Sequence, residues 1–188
     1  MARRLIITQN ITLDGVVEAE GGWFDPTEDS ERGRELAAVT AEHAAASDAF
    51  LVGRTTFEQM RGFWPQQRDD RTGVTNHLNQ VNKYVVSSTL EDPGWAGTTV
   101  LRGGAALAAE IRALQQAPGR EIVLTGAISL AGDLLQAGLV DELRLFVHPV
   151  VRGHGRRLFP QDWAAPRLQL IEQRAIHDVV LLRYDLLR

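Results

Sequence analysis

Cysteine is absent from this sequence of 188 residues. That absence excludes disulfide bridges, thiolate ligands for metals and cysteine nucleophiles, and it suits a reducing compartment. The five histidines show neither H-x-H nor H-E-x-x-H spacing, so no metal site is predicted. Long apolar runs are missing too, because Gln9 and Asn10 interrupt the N-terminal one, which is too short and polar for a signal peptide or membrane span. We therefore expect a cytoplasmic protein that makes no membrane contact.

Positively charged residues are fewer than negatively charged ones. The chain has 20 Lys and Arg against 24 Asp and Glu, a formal net charge of -4. Its overall field does not favour nucleic acid as a partner, so any anionic ligand must be held by local donors. A hydrophobic fraction of 44% and a length of 188 residues are typical of one globular domain, which we expect to span residues 1–188 and to bury a sizeable core.

Strand-like and helix-like hydrophobic patterns alternate along the first two thirds of the chain. Strands are predicted at Leu5–Leu13, Ala49–Val52, Lys83–Ser88, Thr98–Leu101, Glu121–Thr125 and Asp141–Val151, with a final hairpin of Leu168–Ile176 and Val179–Leu187. Helices are predicted at Ser30–Ala46, at a segment that contains Phe57 and Met60 and that Thr55 or Thr56 caps, and at Ala105–Gln116 and Ser129–Ala137. The polar stretch Arg61–Asn76 is predicted to be a loop. Together these patterns predict an α/β fold with a mostly parallel central sheet flanked by helices and an antiparallel C-terminal hairpin.

Three of the predicted strands stop abruptly at small or hydroxyl residues. These are Gly53, Arg54, Thr55 and Thr56 in the first case, Ser87, Ser88 and Thr89 in the second, and Thr125, Gly126, Ala127, Ile128 and Ser129 in the third. Ligands of open α/β sheets bind beyond the carboxyl ends of the strands, and a helix N-terminus with glycine suits phosphate. Each segment alone is also explained by ordinary turn and capping chemistry. Together they predict a dinucleotide site, although without the G-x-G-x-x-G of the usual Rossmann fingerprint.

Several of these stretches resemble a known superfamily. Val52 to Glu58 resembles the G-R-x-T-[FW]-E motif of dihydrofolate reductases, which opens the helix that grips the cofactor pyrophosphate and 2′-phosphate. Lys83 to Ser88 resembles the strand whose serines line the adenosine end. Ile122 to Leu143, and above all Leu143 to Phe159, resemble the C-terminal reductase domain of the bifunctional riboflavin-biosynthesis deaminase–reductase and its stand-alone relatives. The resemblance spans residues 5–187.

The resemblance implies a dihydrofolate-reductase-like three-layer fold and an NADPH-dependent reductase. Its substrate would be a small pterin- or pyrimidine-like heterocycle, of which 5-amino-6-(5-phosphoribosylamino)uracil is the family's best-known example. Ile11 to Gly15 resembles the first strand and turn, near the nicotinamide. The implied cofactor-binding residues are Leu13, Gly15, Gly53, Arg54, Thr55, Thr56, Ser87, Ser88, Thr89, Thr125, Gly126, Ala127, Ile128, Ser129 and Leu130.

The sequence departs from the family at two points. Gly126-Ala127 stands where relatives commonly have two glycines and an unusual cis peptide bond, which costs about 3 kcal/mol before a non-proline residue. A zinc deaminase needs cysteine ligands, so the chain is not the bifunctional enzyme.

Other residues support a functional and a structural interpretation equally well, or nearly so. Asp14 is a candidate catalytic residue that orients the substrate or a proton-donating water, or simply part of an Asp-Gly turn. Trp23, Phe24 and Trp64 are candidates for stacking on the substrate, or they cover an edge of the core. His43 on the first helix is a candidate to face the substrate cleft, but a position at the surface or in the core is favoured.

Two further hypotheses concern partners. We expect a homodimer formed partly through the apolar strands Leu143–Val151 and Val179–Leu187, because exposed sheet edges are usually covered. The basic segment Arg152–Arg157 is a candidate to attract a phosphorylated substrate, but a flexible hairpin loop with solvated charges is favoured. The alternative to a reductase is a non-catalytic nucleotide or small-molecule binding protein on the same fold.

Overall fold

Eight strands and five helices build the protein in a computed structural model, which describes residues 2–25, 28–67, 70 and 73–187. The strands are β1 (Leu5–Thr12), β2 (Ser47–Gly53), β3 (Asn82–Val86), β4 (Thr98–Leu101), β5 (Glu121–Leu124), β6 (Glu142–His148), β7 (Arg167–Ile176) and β8 (Val179–Leu187). The helices are α1 (Glu31–Ala46), α2 (Arg54–Phe63), α3 (Val74–Gln80), α4 (Leu107–Gln116) and α5 (Ile128–Gln136). Short 3-10 turns occupy Trp64–Gln66 and Gly104–Ala106.

The strands form one sheet in the order β4-β3-β2-β5-β1-β6-β8-β7. Strands β1 to β6 pair in parallel, whereas β8 pairs antiparallel with β6 and with β7. The central strands are apolar on both faces, with Leu5, Leu51 and Ile122 buried on one face and Ile6 and Phe50 on the other, because helices cover both sides of a parallel sheet. The predicted mostly parallel α/β fold with an antiparallel C-terminal hairpin is confirmed.

The hydrophobic pattern located most elements within a few residues, with two exceptions. Helix α2 begins at Arg54 after the extended Gly53, so Thr55 and Thr56 lie in its first turn and do not cap it. Helix α3 begins at Val74, near the end of the stretch predicted as a loop, and continues to Gln80, while residues 61–63 of that stretch belong to α2. Residues 68, 69, 71 and 72 of the stretch are outside the described residues. Only Leu78 of the seven residues of α3 is buried, so its sequence carries no apolar period.

The register of the parallel strands brings their carboxyl ends to one edge. Gly53 at the end of β2 pairs with Val86 of β3, and Val86 pairs with Leu101 of β4. On the other side of β2, Leu51 pairs with Leu124 of β5. The segments predicted to bind the dinucleotide therefore all follow strands that end along the same edge of the sheet.

A buried network of charges crosses β6 and β8 at the opposite end. The Glu142 carboxylate, which is inaccessible to solvent, accepts hydrogen bonds of 2.7 Å from Nε of both Arg144 and Arg183. Arg144 also donates to Glu121 at 2.9 Å, and Arg183 donates to Glu172. The arginines hold the pKa of Glu142 below its ordinary value although burial raises it. Each charge is compensated by a neighbour, which is the condition for keeping such groups buried.

Removing the charge of Glu142 should destabilise the protein, because the buried arginines would lose their partner. We expect Glu142→Gln to lower the free energy of unfolding by about 3–5 kcal/mol, since it leaves buried guanidinium groups uncompensated. The control is Glu42→Gln, which removes an exposed ion pair to Arg174 and should cost less than about 1 kcal/mol. Urea denaturation measures both values, and equal losses would show that the buried network contributes no more than a surface pair.

Candidate functional site

Helices α2 and α5 begin side by side, because they follow the neighbouring strands β2 and β5. A Cβ atom built on Gly53 would lie 3.6 Å from the Cβ of Ala127, and one built on Gly126 would lie 2.7 Å from Cγ2 of Thr56. Neither helix has a side chain that caps its N-terminus. Two sets of backbone N–H groups without capping side chains therefore meet at the same edge, an arrangement that suits the two phosphates of a dinucleotide.

Gln9 on β1 holds the turn that follows β5. Its Nε2 donates to the Gly126 carbonyl at 3.1 Å, and its Oε1 accepts from the Gly126 N–H at 3.4 Å. Gly126 adopts a φ of 75°, which favours glycine, and every peptide bond in the described part of the chain is trans, including the one before Ala127. Sequence reasoning missed Gln9, because a polar residue inside an apolar strand gives no sign of what it contacts.

The other residues predicted to bind the cofactor divide into exposed and buried groups. Exposed or half-buried along this edge are Leu13, Gly15, Gly53, Arg54, Thr55, Thr56, Ser88, Thr89, Thr125, Gly126, Ile128 and Ser129. Buried beneath them are Ser87, Ala127 and Leu130. Arg54 is 3.8 Å from Glu58, too far for a hydrogen bond, so its guanidinium remains available to an anion.

The turn after β3 is organised by Ser87. Its Oγ accepts from the N–H groups of Thr89 and Leu90 at 3.2 and 3.0 Å, so Ser87 shapes the turn while Ser88 faces solvent. Arg102, at the end of the adjacent β4, donates to the Leu90 carbonyl at 3.2 Å. This places a second arginine near the serines, in addition to Arg54. The sequence did not reveal it, because Arg102 and Leu90 are 12 residues apart in the chain.

Asp14 joins the turn after β1 to the segment that follows β6. Its carboxylate accepts from the Thr12 hydroxyl at 2.6 Å and from the backbone N–H groups of Arg152 and Gly153 at 3.1 and 2.8 Å. These three donors, led by Thr12, hold the pKa of Asp14 far below its ordinary value. The carboxylate is thus ionised and fully engaged at neutral pH, so the predicted direct role in catalysis stays a prediction, while the positioning role is visible.

The basic segment after β6 is an exposed loop that backbone hydrogen bonds hold in place. Val17 donates its N–H to the Arg156 carbonyl at 2.9 Å, and Val16 forms an isolated bridge with Arg157. Nη2 of Arg156 donates to Oγ of Ser129 at 2.6 Å, which puts a guanidinium at the first turn of α5. The cationic side chain therefore lies beside the helix N-terminus that is predicted to bind phosphate.

A cavity of about 250 Å³ lies between α1 and the sheet. Its floor comes from β1, β2, β5 and β6, and its far wall from α2, the following 3-10 turn and α3. On α1, the small residues Gly33, Ala37, Ala41 and Ala44 line it, and they leave the room that larger side chains would fill. Thr125 also lines it, so the cavity reaches the edge where α2 and α5 begin.

The predicted aromatic residues differ in their relation to this cavity. Phe24 and Trp64 line it. Trp23 does not, because its Nε1 donates to the Glu18 carbonyl at 2.8 Å and its ring packs edge-on against His148 at 5.2 Å. Trp23 therefore supports the cavity wall from behind, as the structural interpretation of the loop aromatics had it.

Three of the five histidines line the cavity, and burial lowers the pKa of each. For His43 the loss of hydration, reinforced by Arg144 and Arg183, lowers the pKa to about 4, so the ring is neutral at pH 7. Its Nδ1 is buried without a hydrogen-bond partner. His43 therefore faces the cavity, the position that the sequence favoured less than the surface or the core. His148 is held differently, with its Nε2 2.9 Å from Oδ1 of Asn10.

The described residues form neither a metal centre nor a membrane-spanning helix. Among the described residues, no three His, Asp or Glu side chains are grouped closely enough to hold a metal ion. No helix in the described ranges is long and apolar enough to cross a membrane.

Solved structures share this fold and its arrangement of strand ends. A pyrimidine reductase-like protein from Corynebacterium diphtheriae matches with a TM-score of 0.70 at 16% identity, over 99% of this chain and 92% of that one. Dihydrofolate reductase from Enterococcus faecalis, solved in complex with NADP(H) and RAB-propyl, matches with a TM-score of 0.61 at 18% identity, over 98% of each chain. The protein therefore has a dihydrofolate-reductase-like fold.

Sequence similarity identifies the family within this fold. The model of the RibD C-terminal domain matches residues 3–182, and the chain belongs to that family. The uncharacterized protein YyaP of Bacillus subtilis strain 168 is 29% identical over 182 residues, covering 95% of this chain and 92% of YyaP. The resemblance inferred from the motifs is confirmed.

The engaged carboxylate of Asp14 makes a testable prediction. Asp14→Asn should lower the melting temperature, because an amide cannot accept from all three donors without turning its NH2 group toward one of them. The folded-state pKa of Asp14 is depressed, so its stabilisation is present above the unfolded-state pKa and is lost as pH falls.

The variant should therefore lose less stability than the parent on acidification. Asp29→Asn, which alters an exposed carboxylate 3.3 Å from Arg34, is the control and should melt like the parent. Thermal melts across the acidic range test this, and parallel pH profiles for parent and Asp14→Asn would contradict it.

Proposed function

We propose that the protein is an NADPH-dependent reductase that acts in the cytoplasm on a small pterin- or pyrimidine-like heterocycle. The observation that carries the proposal is the meeting of two uncapped helix N-termini, at Gly53 and Gly126, beside a cavity that opens toward them. The family match to the RibD C-terminal domain supports the same assignment.

The residues present fit a dinucleotide. The backbone of the Gly53 and Gly126 turns would hold the pyrophosphate, and Gln9 keeps the second turn in place for it. Arg54 would meet the 2′-phosphate, together with Ser88 and with the guanidinium of Arg102 at the end of β4. No acidic side chain directly follows β3, where one would favour a free ribose hydroxyl.

The chain itself would supply orientation and exclusion of water. NADPH, when bound, supplies a hydride to an electrophilic carbon of the substrate, and a proton reaches the adjacent heteroatom. Phe24 and Trp64 would bound the flat ring in the cavity. Asp14 would act as a positioning residue, because it ties the turn that carries Leu13 to the segment after β6.

Nucleotide binding tests this assignment with three variants. NADPH should bind better than NADH, and Arg54→Ala should weaken NADPH by one to two orders of magnitude while changing NADH less, since it removes a charge-assisted contact of about 1.5–3 kcal/mol. Gly126→Val should abolish NADPH binding, because its Cβ would lie 2.7 Å from Thr56 and force the two turns apart.

Gly138→Val is the matched control for backbone strain. Gly138 also has a positive φ, of 62°, but a Cβ there meets nothing within 4 Å. The Gly138→Val variant should be less stable than the parent but should bind NADPH equally well. Fluorescence titration gives the affinities, and unchanged binding in both Arg54→Ala and Gly126→Val would refute the cofactor site. Tight NADPH binding without oxidation by any heterocycle tried would favour the non-catalytic binding protein.

We also propose a homodimer through the C-terminal strands. Strand β7 forms one edge of the sheet, and the apolar side chains of Leu170 and Val180 are 47% and 37% exposed on β7 and β8. Ile171 and Leu187 are also exposed on these two strands. Exposed apolar side chains beside a sheet edge are usually covered by a partner, and a second copy of the chain carries the same surface.

Charge placed on this surface should separate the subunits. Val180→Lys is expected to shift the protein from dimer to monomer at micromolar concentration, because it would bury an unpaired ammonium group. Thr99→Lys on the opposite edge strand, β4, should leave the dimer intact. Sedimentation equilibrium measures the mass of the particle in solution. A monomeric parent would contradict the proposed homodimer.

A further inference from the structure

The two ends of the cavity differ along the length of α1. One end adjoins Phe24, Asp25 and Glu28, before and at the start of α1, whereas the other, here called the inner end, lies against His43 in the last turn of α1 and Ser47 at the start of β2. Apolar side chains such as Leu36, Phe50, Met60 and Val123 line most of the space between. A ligand that fills the cavity must therefore be largely apolar and must present its far end to the groups around His43.

Two polar atoms at this inner end lack partners. Oγ1 of Thr8 and Nδ1 of His43 are both buried, line the cavity and form no hydrogen bond. Other hydroxyls on the same walls are satisfied, since Thr40 donates to Leu36 at 2.9 Å and Ser47 donates to Ala44 at 3.0 Å. A buried polar atom left unpaired costs about 1–3 kcal/mol, so native proteins rarely keep one without a reason.

The buried charge network closes the inner end. Arg144 pairs in register with Thr8 across β1 and β6, and its side chain reaches Glu121 on β5. Nη1 of Arg144 and Oε2 of Glu121 are likewise buried without hydrogen-bond partners. Arg144 thus provides a donor and Glu121 an acceptor near Thr8, but the charges of these two side chains are already paired with each other.

The described part of the cavity offers little to an anion. Its three histidines are neutral at pH 7, because burial lowers the pKa of each. Arg32 is the only arginine or lysine among the described lining residues, and its guanidinium is bound by Glu28 and Asp178. A phosphate or carboxylate buried here would lose its hydration without gaining a free cation.

We propose that Thr8 and His43 bind an uncharged polar group that carries an adjacent donor and acceptor, such as the N–H and C=O of a ring amide. The substrate is then a neutral, mostly apolar heterocycle without a phosphate, inserted with its amide edge toward the end of α1. The proposal rests on the proposed function for the identity of the cavity as the substrate cleft. A hydroxyl and an imidazole nitrogen can each donate or accept, which matches the two halves of an amide edge.

Three probes of similar size and shape test this chemistry. Quinolin-2-one has an adjacent N–H and C=O, quinoline has only a ring nitrogen that accepts, and 2-naphthoate is an anion. Isothermal titration calorimetry at pH 7, without nucleotide, should show quinolin-2-one binding about tenfold more tightly than either of the others, the difference expected for one further well-made hydrogen bond. Tighter binding of 2-naphthoate, equal binding of quinoline or no binding of quinolin-2-one would overturn the proposal.

A variant of each partner identifies the residues responsible. Thr8→Val should weaken quinolin-2-one by about fivefold to tenfold and raise the melting temperature of the free protein, because it deletes an unpaired buried hydroxyl. His43→Leu should weaken the same probe by a similar factor. The control is Thr98→Val, which lies outside the cavity and removes a hydroxyl already bonded to the Trp95 carbonyl at 2.7 Å.

The control should melt at a lower temperature and bind quinolin-2-one like the parent. If Thr8→Val binds the probe unchanged, Thr8 is not part of the site and the proposal fails. Because these titrations contain no nucleotide, they are independent of turnover. If NADPH is not oxidised but the probe still binds, the proposed reductase is rejected and the amide site stands. If NADPH is oxidised but the probe does not bind, the amide site is rejected and the proposed reductase stands.

Discussion

The close contact of two turns, at Gly53 and Gly126, is the constraint on which the candidate site depends. Strands β2 and β5 are neighbours in the sheet, so the helices that follow them must begin within a few ångströms of each other. Glycine is required at the second turn because Thr56 leaves no room for a side chain and φ is positive. The result is a pair of uncapped helix ends that face one edge, a surface suited to phosphate groups.

The same topology creates the cavity. Helix α1 lies on the cavity side of the sheet, and its small residues Gly33, Ala37 and Ala41 line the cavity without filling it. Large side chains at these positions would close the gap, whereas Val39, which lies between them in the chain, makes the anchoring contact with Phe146 and Val179. Binding space and core packing are thus divided between two faces of one helix.

The segment after β6 links the site to the rest of the fold. Asp14 draws in the backbone at Arg152 and Gly153, and the ladder from Val16 to Val17 continues the contact. Held in this way, Arg156 reaches the first turn of α5. A sheet-like pairing between two connecting segments therefore fixes the region where the nicotinamide is proposed to lie, and the Asp14 carboxylate contributes two of the hydrogen bonds between them.

The sequence by itself determined the elements and their order, because strand ends such as Val52-Gly53 and Leu124-Thr125 follow local hydrophobic and turn rules. It also determined the family, through the motifs around Gly53 and Gly126. It could not predict α3, whose seven residues bury only Leu78, nor the contacts of Gln9 and Arg102 with distant turns. Only the tertiary structure decided that His43 lines a cavity and that Asp14 is fully engaged, because burial and hydrogen-bond partners arise between residues far apart in the chain.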